Sequence, residues 1–474
     1  MSLQDFDIQT LAPGDKWPVS PGGTVTYSFV TAASASSYPA DADETNIGEV
    51  TEGIKNNVRQ ILNNLFSSVI PIKFQEVPDT TSSHGQIRIL FSDGPGKGDS
   101  SSAYAYFPGT KPNSGAVHLR RDYENDSENN AYSNPPGSFG YYTLIHELGH
   151  AMGLNHPGAY NGNEVGAGAT DGGPYLSFDQ DNTLNTVMSY NQGEPGPYPS
   201  TLMAYDIRAL QSIYGVPDPT NGDTVYTFDS NSIKQTKTIW DSSGNNTISL
   251  TGVPADDSYY LDLKPGGLIA SKNAVNSATY KHLADPSKKD FSITQNATVI
   301  GPNTLIKNAI GSLGSDEIYG NTADNNIQGL AGDDTIEGGS GNDTLMGEAG
   351  DDLLRGGEGN DLLMAGKGTN ILYGDRGNDT LIGGKGEDKL TGGAGADWFI
   401  LESGPGSDII TDFTQGEDIL GLSGGLSFSD LSITEGTGPN DNQAIIRVGP
   451  EGDVLARLQG VQAQSLTAAN FRPF

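Results

Sequence analysis

Residues 311–400 repeat with a period of nine, in ten successive units without a gap. Two of the clearest units read Gly338-Gly339-Ser340-Gly341-Asn342-Asp343-Thr344-Leu345-Met346 and Gly356-Gly357-Glu358-Gly359-Asn360-Asp361-Leu362-Leu363-Met364. Position eight is apolar every time: Ile318, Ile327, Ile336, Leu345, Leu354, Leu363, Leu372, Leu381, Leu390 and Phe399. One inward apolar side chain per nine residues fits a short strand followed by a tight turn, wound into a coil. Position six is Asp316, Asn325, Asp334, Asp343, Asp352, Asp361, Asn370, Asp379, Asp388 and Asp397. The glycines permit turns whose carbonyls face an ion, and the aspartates add charge and hard oxygen ligands suited to calcium.

Two units make one coil, so unit n stacks on unit n+2. Of the eight stacked pairs, five place two aspartates together and three include an asparagine. About five good calcium sites and up to three weaker ones are expected. The segment carries 17 acidic and 5 basic side chains, a net of −12. That self-repulsion favours an expanded chain unless cations bind the folded form. The pattern is that of a parallel β-roll, an all-β unit.

A second constellation lies upstream, at His146-Glu147-Leu148-Gly149-His150-Ala151-Met152-Gly153-Leu154-Asn155-His156. Residues four apart stack on one helix face, so His146 and His150 can present two imidazoles to one metal. Glu147 sits beside that face, suited to take a proton from a water. Gly153 can adopt positive φ, end the helix and return a third imidazole, His156. Three neutral nitrogens with one open position make a catalytic zinc sphere. The chain has six histidines, and three fall within these eleven residues.

Downstream, Thr186-Val187-Met188-Ser189-Tyr190 resembles the Met-turn of the metzincin peptidases. With Pro157 after the third histidine, the motifs are similar to those of the serralysin family. The resemblance implies that Met188 is an apolar floor under the metal. It also implies that Tyr190 is a displaceable zinc ligand that helps hold the oxyanion. It further implies a secreted zinc endopeptidase acting on protein or peptide substrates as a monomer. One zinc would be catalytic and several calcium ions structural. The C-terminal region would carry an uncleaved export signal read by a secretion apparatus, with Leu466–Phe474 as a candidate, and a proteinaceous inhibitor is a further partner. Two positions depart from that family: Asn246 stands where aspartate is usual and Lys307 where glutamate is usual, which weakens the case for a calcium site near either.

The fold expected is an α/β (α+β), metzincin-like catalytic domain followed by an all-β parallel β-roll and β-sandwich domain. Residues 1–22 read as an arm or pro-segment remnant, 23–217 as the peptidase domain, and 218–474 as the calcium-binding domain, with repeats at 311–400 and C-terminal strands at 401–474. In the first domain, strands are expected over Thr24–Val30, Ile72–Val77, Gln86–Phe91, Ala103–Phe107 and Ala116–Leu119. Helices are expected from about Asp43 to Phe66, from Ser138 as N-cap through the histidines, and over Thr201–Tyr214. Gly158–Thr186 reads as a cleft loop, its Asp171, Asp179 and Asp181 more in keeping with solvated carboxylates than with calcium ligands. His84, His118 and His282 read as surface or loop residues, with His118 placed to line the cleft.

The net charge of −33 argues against nucleic acid or an anionic membrane as partner through a basic patch. The absence of cysteine excludes disulfides. No apolar run reaches the length of a transmembrane helix, and the first thirty residues lack the pattern of a secretory signal peptide. Gly421-Leu422-Ser423-Gly424-Gly425 matches a serine-hydrolase elbow but lacks the strand-turn-helix setting such an elbow needs.

Overall fold

The computed structural model describes residues 10–12, 14–41, 44–93, 102–125, 130–158, 176, 180–190, 198–219, 222–274, 278–280, 291–293, 296–404, 406–437 and 442–474. They form two compact units. The first comprises Met1–Thr220, Lys234–Ser242 and Ala274–Thr304, and the second Asn221–Ile233, Ser243–Asn273 and Leu305–Phe474. No helix among the described residues is long and apolar enough to cross a membrane.

The first unit is α+β. Strands β1 (Thr24–Phe29), β2 (Lys73–Glu76), β3 (Ile87–Phe91), β4 (Ala103–Ala105) and β5 (Ala116–Leu119) form one sheet in the order β2-β1-β3-β5-β4. All its pairings are parallel except that of β4, the edge strand, which runs antiparallel to β5. Helix α1 (Glu52–Gln60) starts where Thr51 caps the amide of Ile54, and widens into π-helical turns over Ile61–Phe66. The helix therefore begins nine residues later than the apolar spacing suggests. Gly48 is held in a bridge to Phe91, and Asn46 adopts a φ of +53°, so the preceding chain is extended rather than helical. Helices α2 (Phe139–Ala151) and α3 (Ala204–Tyr214) follow in the same unit. The stretch expected as an arm buries Leu11 and Trp17.

In the second unit the nine-residue period becomes two parallel ladders. Ile318, Ile336, Leu354, Leu372 and Leu390 are successive partners in one sheet. Ile327, Leu345, Leu363, Leu381 and Phe399 are successive partners in the other. All ten are buried. The ladders end on strands outside the repeat. Leu261 precedes Ile318, and Ala309 precedes Ile327. At the far end Leu390 pairs Ile410, which pairs Leu458, while Phe399 pairs Leu420, which pairs Phe471. Leu431–Glu435, Gln443–Val448 and Val454–Gln459 add an antiparallel meander.

Candidate metal centre and calcium columns

Helix α2 opens with Ser138, whose hydroxyl accepts from the Tyr141 amide, and is buried over almost its whole length. It closes in a Schellman turn: Leu154 N donates to Gly149 O and Gly153 N to His150 O, with Gly153 at a φ of +99°. That turn brings His156 back beside the helix. His156 Nε2 lies 3.1 Å from His146 Nε2 and 3.0 Å from His150 Nε2. Two imidazoles on a tetrahedral zinc at 2.0–2.1 Å have nitrogens about 3.3 Å apart, so the spacing fits that ion.

The tautomers follow from the partners. His146 Nδ1 lies 2.7 Å from Val187 O, and His150 Nδ1 lies 2.8 Å from Leu154 O. A carbonyl only accepts, so each Nδ1 carries the proton and each Nε2 presents a lone pair. Burial holds His146 at a pKa of about 4, His150 at about 3, and His156 well below the usual value. All three are therefore neutral at pH 7, the form that ligates metal. Burial also pushes Glu147 up to about 8. Its Oε2 is buried without a hydrogen-bond partner.

The Met-turn lies under this helix. A Cβ on Gly149 would fall 2.8 Å from Met188 Sδ, so glycine lets the buried methionine approach. Asp206 of α3, which sequence reasoning missed, fixes the turn. It accepts from Thr186 Oγ1 at 2.5 Å and from the amides of Val187 and Met203 at 2.8 Å. Burial pushes its pKa up to about 7 against those three donors. Tyr142 adds a hydroxyl bond to Ser189 O. Tyr190 is 51% exposed, and its ring centroid lies 5.5 Å from that of His146 and 4.7 Å from that of His156. Asp181 is buried and accepts from Ser189 Oγ, whereas Asp171 and Asp179 lie outside the described residues, as does His282.

His118 is buried rather than lining a cleft. Its ring stacks on Tyr104 and contacts the hydroxyls of Tyr38, Tyr104 and Ser92 at 2.8–2.9 Å. Burial lowers its pKa to about 3. His84 is exposed.

In the roll, each position-six side chain after the first of its column accepts, through Oδ1, the amide of its counterpart one coil earlier. The series runs Asp316, Asp334, Asp352, Asn370, Asp388 in one column and Asn325, Asp343, Asp361, Asp379, Asp397 in the other. Asp408 and Asp418 extend the two columns by one coil. Sequence reasoning missed them because the interval widens from 18 residues to 20 and 21. The second oxygens of Asp334, Asp343, Asp352, Asp361, Asp379 and Asp388 are buried and have no partner, as is Asn370 Nδ2. Six orphaned, acceptor-only oxygens fit a hard cation. Asp316 differs: Tyr259 N, Ser312 N and Ser312 Oγ all donate to it. Asn246 is likewise spent, on Thr224 N, Ser243 O and Leu305 O.

Comparison with known families agrees with both halves. The matrixin family matches residues 36–161, and the RTX calcium-binding nonapeptide repeat matches four times, at 310–345, 337–372, 364–399 and 373–410. Serralysin of Proteus mirabilis is 36% identical over 208 residues, 40% of this chain and 37% of that protein. Serralysin C of Dickeya chrysanthemi is 32% identical over 232 residues, covering 45% and 42%. Metallopeptidase AprA of Pseudomonas marginalis is 28% identical over 339 residues, covering 63% and 60%. The chain thus spans less than half the length of the first two relatives. A matrixin domain joined to RTX repeats, with relatives of this kind, fits the serralysin family.

Proposed function

We propose that this chain is a secreted, zinc-dependent endopeptidase of serralysin type, with a calcium-stabilised roll that supports its folding and export. The observation that carries the reading is the convergence of three neutral imidazoles through their Nε2 atoms, beside a buried, unpartnered Glu147 oxygen. His146, His150 and His156 would hold the zinc, with Tyr190 as an added ligand. Bound zinc supplies Lewis acidity toward the scissile carbonyl and acidifies a water. Glu147 takes the proton of the attacking water and delivers it to the leaving amine. The Tyr190 hydroxyl donates to the developing oxyanion. Met188 and Gly153 shape the site without touching substrate.

The calcium ligands are assigned to Asp334, Asp343, Asp352, Asp361, Asp379, Asp388 and Asp397, with Asp316 as the closed N-terminal end of its column. The peptidase domain is taken as residues 23–217 and the calcium domain as 218–474. The chain acts as a monomer on extracellular proteins, leaves the cell through a signal within its C-terminal region, and meets its inhibitor outside.

The test is hydrolysis of an unfolded protein such as casein in calcium, before and after zinc removal. Activity should vanish with zinc and return with it. Glu147→Gln should retain zinc and lose about 100-fold to 10,000-fold in rate. Proteolysis at the wild-type rate by Glu147→Gln or by zinc-free protein would overturn the assignment.

A further inference from the structure

The C-terminal end of α2 leaves carbonyls that the Schellman turn does not use. Gly149 O and His150 O are taken by the turn itself. Ala151 O accepts from Trp17 Nε1 at 2.9 Å, and Met152 O accepts from the Tyr214 hydroxyl at 3.0 Å. That hydroxyl accepts in turn from Trp17 N at 3.2 Å. Past the turn, Asn155 N donates to Leu11 O at 2.9 Å, and Asn155 Oδ1 accepts from His156 N at 2.9 Å. The backbone of Asp15 lies so close to Gly153 that a Cβ there would fall 2.1 Å from Asp15 O. Leu11 is 1% and Trp17 5% exposed, so water cannot replace these bonds. A Cβ on Gly115, in the turn before β5, would fall 2.4 Å from the Trp17 ring, which wedges the indole in place.

Ala151 and Asn155, at the two ends of the return loop, are therefore bonded by one N-terminal segment, while Met152 is held by Tyr214, which that segment bonds in turn. The loop carries the third imidazole. We infer that residues 10–12 and 14–17 are a permanent brace of the metal centre, with Trp17 and the Leu11 carbonyl as positioning groups for His156. The inference rests on the zinc reading of the three histidines. It makes this segment part of the working peptidase unit rather than a piece shed on activation. Loss of the brace lets His156 swing away, so zinc leaves faster and kcat falls more than KM changes.

The full-length protein, loaded with zinc in calcium, tests this by zinc release into a chromogenic chelator, alongside thermal melts and casein kinetics. Three variants are compared: Trp17→Phe, which keeps an aromatic ring and removes the donor; a deletion of residues 1–12, which removes the Leu11 carbonyl; and Val58→Ala, which opens a cavity at a buried position of α1 outside the three-histidine cluster. Trp17→Phe and the deletion should each release zinc about tenfold faster, the scale of one lost buried hydrogen bond. Val58→Ala should melt earlier yet keep the wild-type release rate. Wild-type release from both brace variants would overturn the inference, as would equally fast release from Val58→Ala, which would make the effect one of general stability. A wild-type chain that takes up no stoichiometric zinc would instead sink the zinc reading itself.

Discussion

Removing calcium should unfold the roll at neutral pH. Six carboxylate oxygens, one each on Asp334, Asp343, Asp352, Asp361, Asp379 and Asp388, are buried with no hydrogen-bond partner. A buried acceptor left unsatisfied costs about 1–3 kcal/mol, and more when charged, so six cost at least about 6–18 kcal/mol. A folded domain has a net stability of only about 5–15 kcal/mol. The net charge of −12 over the ten repeats adds repulsion in the same direction. Without a cation, the column of buried leucines and isoleucines is therefore insufficient to hold the coil. Far-UV circular dichroism and thermal melting, in millimolar calcium and in excess chelator, measure this directly. Chelation should remove β signal and the high-temperature transition, and added calcium should restore both. Identical spectra and melting temperatures in the two conditions would show that the orphaned oxygens are tolerated unpaired, and the reasoning would fail.

Three further outcomes are expected. Asn370→Asp should replace an unpartnered amide nitrogen by a carboxylate oxygen; it should lower the calcium concentration needed for folding and destabilise the calcium-free chain, and an unchanged calcium midpoint would refute it. In the first unit, Asp79 is buried but receives Arg88 Nε at 3.0 Å and Nη2 at 2.8 Å. Burial opposes its ionisation, yet hydrogen bonds from Arg88, Ser34 and Ser28 hold its pKa below the ordinary value. Its stabilisation is therefore complete above about pH 4 and lost as pH falls through the lowered folded value. Asp79→Asn should cost about 3–5 kcal/mol at pH 7 by leaving Arg88 unpaired, and a smaller penalty is expected at pH 3; equal losses at both would contradict the pairing. Leu363→Ala, at a fully buried position of the roll, should cost about 2–5 kcal/mol in calcium melts, and a loss below 1 kcal/mol would mean the column is not the core.

What the sequence disclosed was what is local or periodic. The ten apolar residues from Ile318 to Phe399 define a register that holds at every coil, because each coil sees the same neighbours. The Ser138 cap and the Gly153 turn were legible because both are decided within a few residues. Features set by distant partners were not. The start of α1 is decided by a bridge between Gly48 and Phe91. His118 is buried by three tyrosines, none adjacent in sequence. The hold of Leu11 on Asn155 uses backbone alone and leaves no side-chain pattern to read. Asp206 is an ordinary first-turn acid of α3 until the Met-turn comes to it.

The capped ends of the two ladders bear on assembly. A coil that repeats every 18 residues is a crystal in one dimension, with two unlike faces. Its first face offers a spare carboxylate, here closed by the Tyr259 amide on Asp316; its last offers a spare amide, here closed within the chain by Thr414 O on Asp418 N. Strand edges at both faces are covered by Leu261 and Ala309 at one end and by Leu458 and Phe471 at the other. Stripped of those covers, the last face of one roll would complement the first face of another, a head-to-tail contact that never closes. Residues 311–400 excised alone should therefore lengthen into fibres in calcium, visible by light scattering, whereas the complete chain stays discrete. The non-repeating strands are what make a periodic sequence finite.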